Sequence, residues 1–272
     1  MPGKPTQFSS FPELFMYLLT MEVEYIVIGE SHSDHGAKYA LQNLFSRTSL
    51  REKLIVLTEA MFGLKRKNFF STKKTPYKVE DLNSQDAEYD FYKKLILLGV
   101  KLYGAEDEAS NPFFHAKTRA EVLSVARKID DSKYMERMET YYHERDFDDV
   151  GYRDLAMMGY GGTDQRIRVT NTSFASGLYD AVRDNKSYIG VLLCGQAHAV
   201  SLNNPEGGKL VAAGVKEILI NKGIAARKIV TISIQTGVPE SVFSEYPYVE
   251  HDAKYEGTFD YHCKVMRFEG FR

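Results

Sequence analysis

The stretch Glu24-Tyr-Ile-Val-Ile-Gly-Glu-Ser-His-Ser-Asp-His35 decides the fold. Tyr25 to Ile28 is aromatic and β-branched, too short for a helix, and reads as a strand buried on both faces, the kind found in the middle of a parallel sheet. Gly29 allows a sharp exit from that strand. Glu30, His32 and His35 then crowd acid and imidazole groups into six residues. In open parallel sheets ligands bind at the carboxyl ends of the strands, so the segment marks both the sheet and its reactive edge.

Working outward, the same grammar repeats. Phe11 to Thr20 has the spacing of a short helix leading into the first strand, and 37–47 that of a helix leaving it. Lys53 to Thr58 is a second strand ending at Glu59. Residues 86–98 form a helix stopped by Gly99. Val100 to Tyr103 is a third strand, which opens onto Glu106. Helical signals fill 117–145 and 147–158, Gly159 to Thr163 reads as a loop, and 173–185 as a further helix. Ser187 to Cys194 is a fourth strand, ending at Gly195-Gln-Ala-His198. A helix over 208–221 and a strand over 227–234 continue the alternation, with a final strand over 263–268.

The expected fold is an α/β domain spanning 11–272, with a mostly parallel central sheet and helices on both faces. A helical subdomain occupies about 110–160, and a polar, disordered leader covers 1–10. At 272 residues the chain is long enough to bury a substantial core.

Composition excludes several classes. Lysine and arginine (35) nearly balance aspartate and glutamate (37), and no basic run offers a phosphate-neutralising surface, which argues against nucleic acid as partner. Two cysteines, Cys194 and Cys263, cannot build a disulfide framework. The early apolar run is broken by Pro12 and Glu13, so no signal peptide or membrane span is expected. The expected location is the cytoplasm, or export without a cleaved signal.

Four strand ends carry four sets of reactive side chains: Glu30 and His32, Glu59, Glu106, and His198. Singly, each glutamate reads as a solvated loop residue. Together, along one sheet edge, they suggest a shared pocket in which a carboxylate fixes and polarises an imidazole for general-base work. No His-Glu-x-x-His or Cys-x-x-Cys spacing marks a structural metal site. Ser31 lacks the nucleophile-elbow context. Cys194 ends an apolar strand, where a thiol is usually packed, and Tyr246, Tyr248, Tyr255 and Tyr261 read as surface packing rather than a lid.

Ile28-Gly-Glu-Ser-His32, Leu57-Thr-Glu-Ala-Met-Phe62, Tyr103-Gly-Ala-Glu106 and Cys194-Gly-Gln-Ala-His198 resemble, in order, the motifs of the erythromycin esterase-like and ChaN-like superfamily, which includes the Tiki and TraB proteins. Arg153-Asp-Leu-Ala-Met157 is similar to an Arg-Asp motif that its esterase-like members carry before the last histidine. The resemblance covers about 24–200. It implies that Glu30, His32, Glu59 and His198 line the site, with Glu106, standing where an aspartate is frequent, and Arg153 beside them. His35 corresponds to a further histidine of some ChaN-like sequences.

What the resemblance implies functionally is mixed: esterase-like hydrolases, metal-dependent proteases, haem-binding lipoproteins, and toxin or effector domains delivered into host cells. The favoured expectation is hydrolysis of an ester or amide-like bond by activated water. In that reading His32 is the first base, Glu30 and Glu59 its orienting partners, His198 a second base or acid, and Arg153 an oxyanion or carboxylate clamp. A divalent ion (manganese, cobalt or zinc) on Glu30, His32, Glu59 and His198 is compatible but not required. The alternative is a bacterial effector or binding protein that uses the pocket to recognise a host protein or ligand; haem, through His35 or the tyrosine-rich tail, is disfavoured.

Overall fold

A computed structural model describes residues 8, 11–30, 38, 41–42, 44–45, 53–59, 76–82, 87–105, 110–131, 134–136, 138, 148–161, 163–203, 210–236 and 259–265. The first strand, β1 (Tyr25–Glu30), runs two residues past the apolar stretch and is buried throughout. Five more strands join it: β2 (Leu54–Thr58), β3 (Lys101–Gly104), β4 (Ile189–Gly195), β7 (Ile229–Thr236) and β8 (Tyr261–Val265). The spatial order is β3-β2-β4-β1-β7-β8, and every described pairing in this sheet is parallel. Two short antiparallel strands, β5 (Leu202–Asn203) and β6 (Leu210–Ala212), stand apart.

Alternation along each strand sends side chains to two cores. On one face Ile26, Ile28, Val56 and Leu193 pack under α1 (Phe11–Thr20), α2 (Ala87–Leu97) and the helical residues Leu41, Leu44 and Phe45. On the other, Val27, Ile55, Leu57 and Leu192 pack under α5 (Asp164–Arg183) and α7 (Val215–Asn221). Each fully buried aliphatic side chain contributes about 1.5–3 kcal/mol, so both faces are needed to hold so short a set of strands. A third cluster, including Phe113, Val122, Tyr134, Tyr152 and Tyr160, is built by residues 113–160 around α3 (Arg119–Ala126) and α4 (Asp149–Gly161).

Several expectations need correction. The helical signal over 117–145 does not form one rod: α3 ends at Ala126, and 127–131 are non-helical. Gly159 to Gly161 are the last turn of α4 rather than a loop, since Gly159 seats against the Tyr134 ring. The next helix begins at Asp164, capped by Thr163, nine residues before the expected start. Residues 210–212 are strand, so the helix expected from 208 starts only at Val215. The final strand is Tyr261–Val265, which puts Tyr261 in the core against Phe8 and not at the surface. Within the leader, Phe8 is buried against Tyr17 and Tyr261; the remaining residues of 1–10 lie outside the described set. Gly99 does end α2, at φ 86°.

The direction of α5 matters most for the site. Leu178 and Val182, in its C-terminal half, close over Gly190 at the start of β4 so tightly that a Cβ there would meet Val182 at 2.6 Å. Phe174, further toward the N-terminus, instead reaches His198, beyond the end of β4. The helix therefore runs antiparallel to the strands. At 20 residues it is about 30 Å long, and its N-terminal half passes the carboxyl edge of the sheet. Among the described residues no helix is long and apolar enough to cross a membrane.

Candidate active site

Strand order assembles the site. Because β4 lies between β2 and β1, the residues leaving β2 and β1 flank the exit of β4 at Gly195. Glu59 continues the β2 ladder by one residue, donating its N–H to Leu193 O at 3.0 Å. Its carboxylate then turns across the end of β4, where Oε2 accepts the Gly195 N–H at 2.8 Å. Gly195 also opens the single helical turn α6 (Gln196–Ala199), which carries His198 back over Glu59. The His198 Nε2 lies 3.4 Å from Glu59 Oε1, and both side chains are buried.

The other ring nitrogen is held by a residue the sequence reading did not single out. Asn171, in the N-terminal half of α5, donates its Nδ2 to Ala213 O at 2.7 Å, which fixes the amide so that Oδ1 faces His198 Nδ1 at 2.6 Å. An amide oxygen only accepts, so Nδ1 donates to Asn171, and Nε2 is the nitrogen turned toward Glu59. Phe174, one turn along, sets its ring edge-on to His198 at 5.2 Å between centroids. The imidazole is thus clamped in plane and in tautomer.

Glu30 reaches the same edge from the other side of the sheet. It follows Ile26 and Ile28, which belong to the α1 and α2 core, whereas Glu59 follows Ile55 and Leu57, which belong to the α5 core. Its nearby cation is Lys38, 1% exposed, with Nζ 3.6 Å from Glu30 Oε1. Lys38 was not anticipated; a lysine shortly after a histidine-rich turn has no spacing signature. Arg153, expected as the clamp, lies on α4 with its Nε 3.7 Å from the neighbouring Asp154. Burial pushes the Asp154 carboxyl up, opposed by the Arg153 charge.

Gly29 permits a close approach. A Cβ there would meet Gln196 Cα and the Phe259 ring at 3.1 Å, so glycine lets the β4 exit and the segment before β8 sit close over β1 without either having to give. Gln196 is anchored by Nε2 donating to Ser233 Oγ at 3.1 Å. Cys194 faces this region, but burial first, and then the charges of Glu59 and Glu30, push its thiol well above the ordinary range, so it is packed rather than nucleophilic.

Glu59, His198 and Glu30 are therefore described at one edge, with Glu59 and His198 in mutual reach. His32, His35, Glu106 and Ser31 lie outside the described residues, as do Tyr246, Tyr248 and Tyr255. The donor set for a divalent ion is incomplete within the described part. Glu59 Oε1 and His198 Nε2 are separated as two ligands of one ion can be, yet no group of three His, Cys, Asp or Glu side chains that could hold a metal occurs among the described residues.

No family model matches the chain, and none of the curated proteins matches it. Two solved structures resemble its fold. One is an open-conformation mutant of the erythromycin esterase EreC, at 10% identity and a TM-score of 0.45, covering 84% of this chain and 73% of that one. The other is the type III effector HopBA1, at 8% identity and a TM-score of 0.46, covering 98% of this chain and 100% of that one. The chain itself is an α/β fold built on a six-stranded parallel sheet.

Proposed function

We propose that the protein hydrolyses an ester or amide-like bond with water activated by the Glu59–His198 pair. The observation that carries this reading is the clamped imidazole: Asn171 Oδ1 lies 2.6 Å from Nδ1, and Nε2 lies beside a carboxylate that is itself anchored by the Gly195 N–H. In the reaction, Nε2 takes a proton from water as the water oxygen bonds to the carbonyl carbon. Glu59 stabilises the imidazolium so formed. Collapse of the tetrahedral adduct breaks the bond to the leaving alkoxide or amine, which recovers the proton from Nε2. A buried carboxylate 3.4 Å from the ring is worth most at the moment the ring becomes charged.

The remaining candidates take supporting roles in this reading. His32, two residues after β1 in the sequence, is a second candidate base, and His35 and Glu106 are candidate substrate contacts. Glu30 is balanced by Lys38, and Arg153 is a candidate anion clamp.

The test is a panel of aryl esters, lactones and peptides incubated with folded protein in ¹⁸O-labelled water. The reading expects turnover of at least one acyl class, with one labelled oxygen in the product acid from the first turnover. No turnover across the panel would overturn it in favour of a binding protein that keeps the pocket without chemistry. Label appearing in the protein before the product would replace activated water with a covalent acyl carrier.

A further inference from the structure

The helix that holds His198 carries a second hydroxyl-bearing residue whose state is unusual. Serine and threonine inside helices normally return their hydroxyl to the carbonyl one turn back. Thr172 does so, with Oγ1 donating to Arg168 O at 2.9 Å on the exposed side of α5. Thr163 likewise donates to Tyr160 O at 2.8 Å. Thr170 does not: it is fully buried, and among the described residues its Oγ1 has no hydrogen-bond partner. A buried hydroxyl left unsatisfied is costly, and such groups in folded proteins call for a ligand or a role.

Its position supplies the role. A Cβ on Gly177 would meet Leu57 of β2 at 3.5 Å, so this face of α5 lies over β2. Thr170 lies seven residues earlier on nearly the same helical face, about 10 Å nearer the carboxyl edge. That is about three strand residues, which brings it over the end of β2, where Glu59 sits. One turn later on the same face is Phe174, against His198, and the adjacent residue is Asn171, bonded to His198. Side chains on a helix lean toward its N-terminus, here outward past the strand ends.

We infer that the Thr170 hydroxyl is a substrate-binding group: it donates a hydrogen bond to the carbonyl oxygen of an acyl substrate, an ester or amide, and to the oxyanion that forms when water adds. The inference rests on the hydrolase reading above and adds to it the donor that receives the developing charge. The ligand class is a carbonyl compound presenting an acceptor oxygen next to the Glu59–His198 pair. Neutral hydroxyls placed at such an oxygen serve as oxyanion donors because they are fixed before the charge appears.

The experiment compares wild type, Thr170→Val, Thr170→Ser and the control Thr172→Val on whichever ester or peptide of the panel is turned over, with the melting midpoint of each. Valine has the shape of threonine without the hydroxyl, so Thr170→Val is expected to melt no lower than wild type while kcat falls about 10²-fold. Serine should restore kcat to within a few-fold, and Thr172→Val should leave it unchanged. Thr170→Val turning over like wild type would overturn the inference and leave the hydrolase reading standing. A lower melting midpoint in Thr170→Val, with activity lost only in proportion, would make the hydroxyl structural and overturn it too. Wild type inactive on the whole panel would remove the hydrolase reading and this inference together.

Discussion

Asn171 Oδ1 and His198 Nδ1 are 2.6 Å apart, and the asparagine amide is locked by its second bond to Ala213 O. The imidazole proton is therefore placed by a residue that never reaches the reacting atoms. Replacing Asn171 with leucine removes the acceptor and lets the proton move to Nε2, the wrong side. We expect kcat to fall about 10²-fold or more with KM little changed. Long-range ¹H–¹⁵N spectra of His198 should show the proton on Nδ1 in wild type and a mixed tautomer in the variant. A wild-type ring protonated only at Nε2 would contradict this assignment.

Glu30 and Lys38 form a pair with both members at most 5% exposed, so removing one partner breaks a buried ion pair. Glu30→Gln alone should destabilise the fold by about 3–5 kcal/mol. The double variant Glu30→Gln, Lys38→Met should recover a large part of that loss, because both charges of the buried pair then leave together. Urea unfolding of the two singles and the double measures the coupling. Strictly additive losses would show that the two residues do not act as a pair.

Stability should decline in alkali. Burial, reinforced by the Glu24 charge, raises the Tyr25 hydroxyl from 10.0 to about 12, and burial does the same for Tyr261. Burial also raises the thiols of Cys194 and Cys263. In each case the folded value exceeds the unfolded one, so above the unfolded values the unfolded chain holds fewer protons and is favoured as pH rises. The contribution of these groups is intact below about pH 8.5 and shrinks as pH climbs from there through 12. Urea midpoints taken between pH 8 and pH 11 should fall steadily; a flat or rising series would contradict the burial of these groups.

The sheet and part of the site were legible in the sequence, for a physical reason. A strand buried on both faces must be an uninterrupted apolar run, so Tyr25-Ile-Val-Ile28, Leu54-Ile-Val-Leu57 and Val191-Leu-Leu-Cys194 announce themselves, and the acid or imidazole after each marks the edge. The facing of Glu30 and Glu59 was not legible, because it depends on the register between strands that are distant in sequence. Asn171, Thr170 and Lys38 were hidden for a different reason. Val169-Thr-Asn-Thr-Ser173 is β-branched and hydroxyl-rich, poor in helix propensity, and hides the N-terminal half of α5. One signal was available: Thr163, Arg166 and Thr170 recur at the helical spacing of the core residue Phe174, and polar residues on a core-facing stripe call for a reason beyond packing.

In the proposed reaction Glu59 and His198 act as one acid–base unit on an acyl substrate. The most direct measurement is the turnover of wild type, Glu59→Gln, His198→Ala and the double variant, on the same substrate and with equal folded fractions. The account predicts that His198→Ala loses about 10²- to 10⁴-fold, that Glu59→Gln loses a comparable factor, and that the double variant is no worse than the poorer single, because residues acting as a unit are not additive. His198→Ala turning over at the wild-type rate would contradict it.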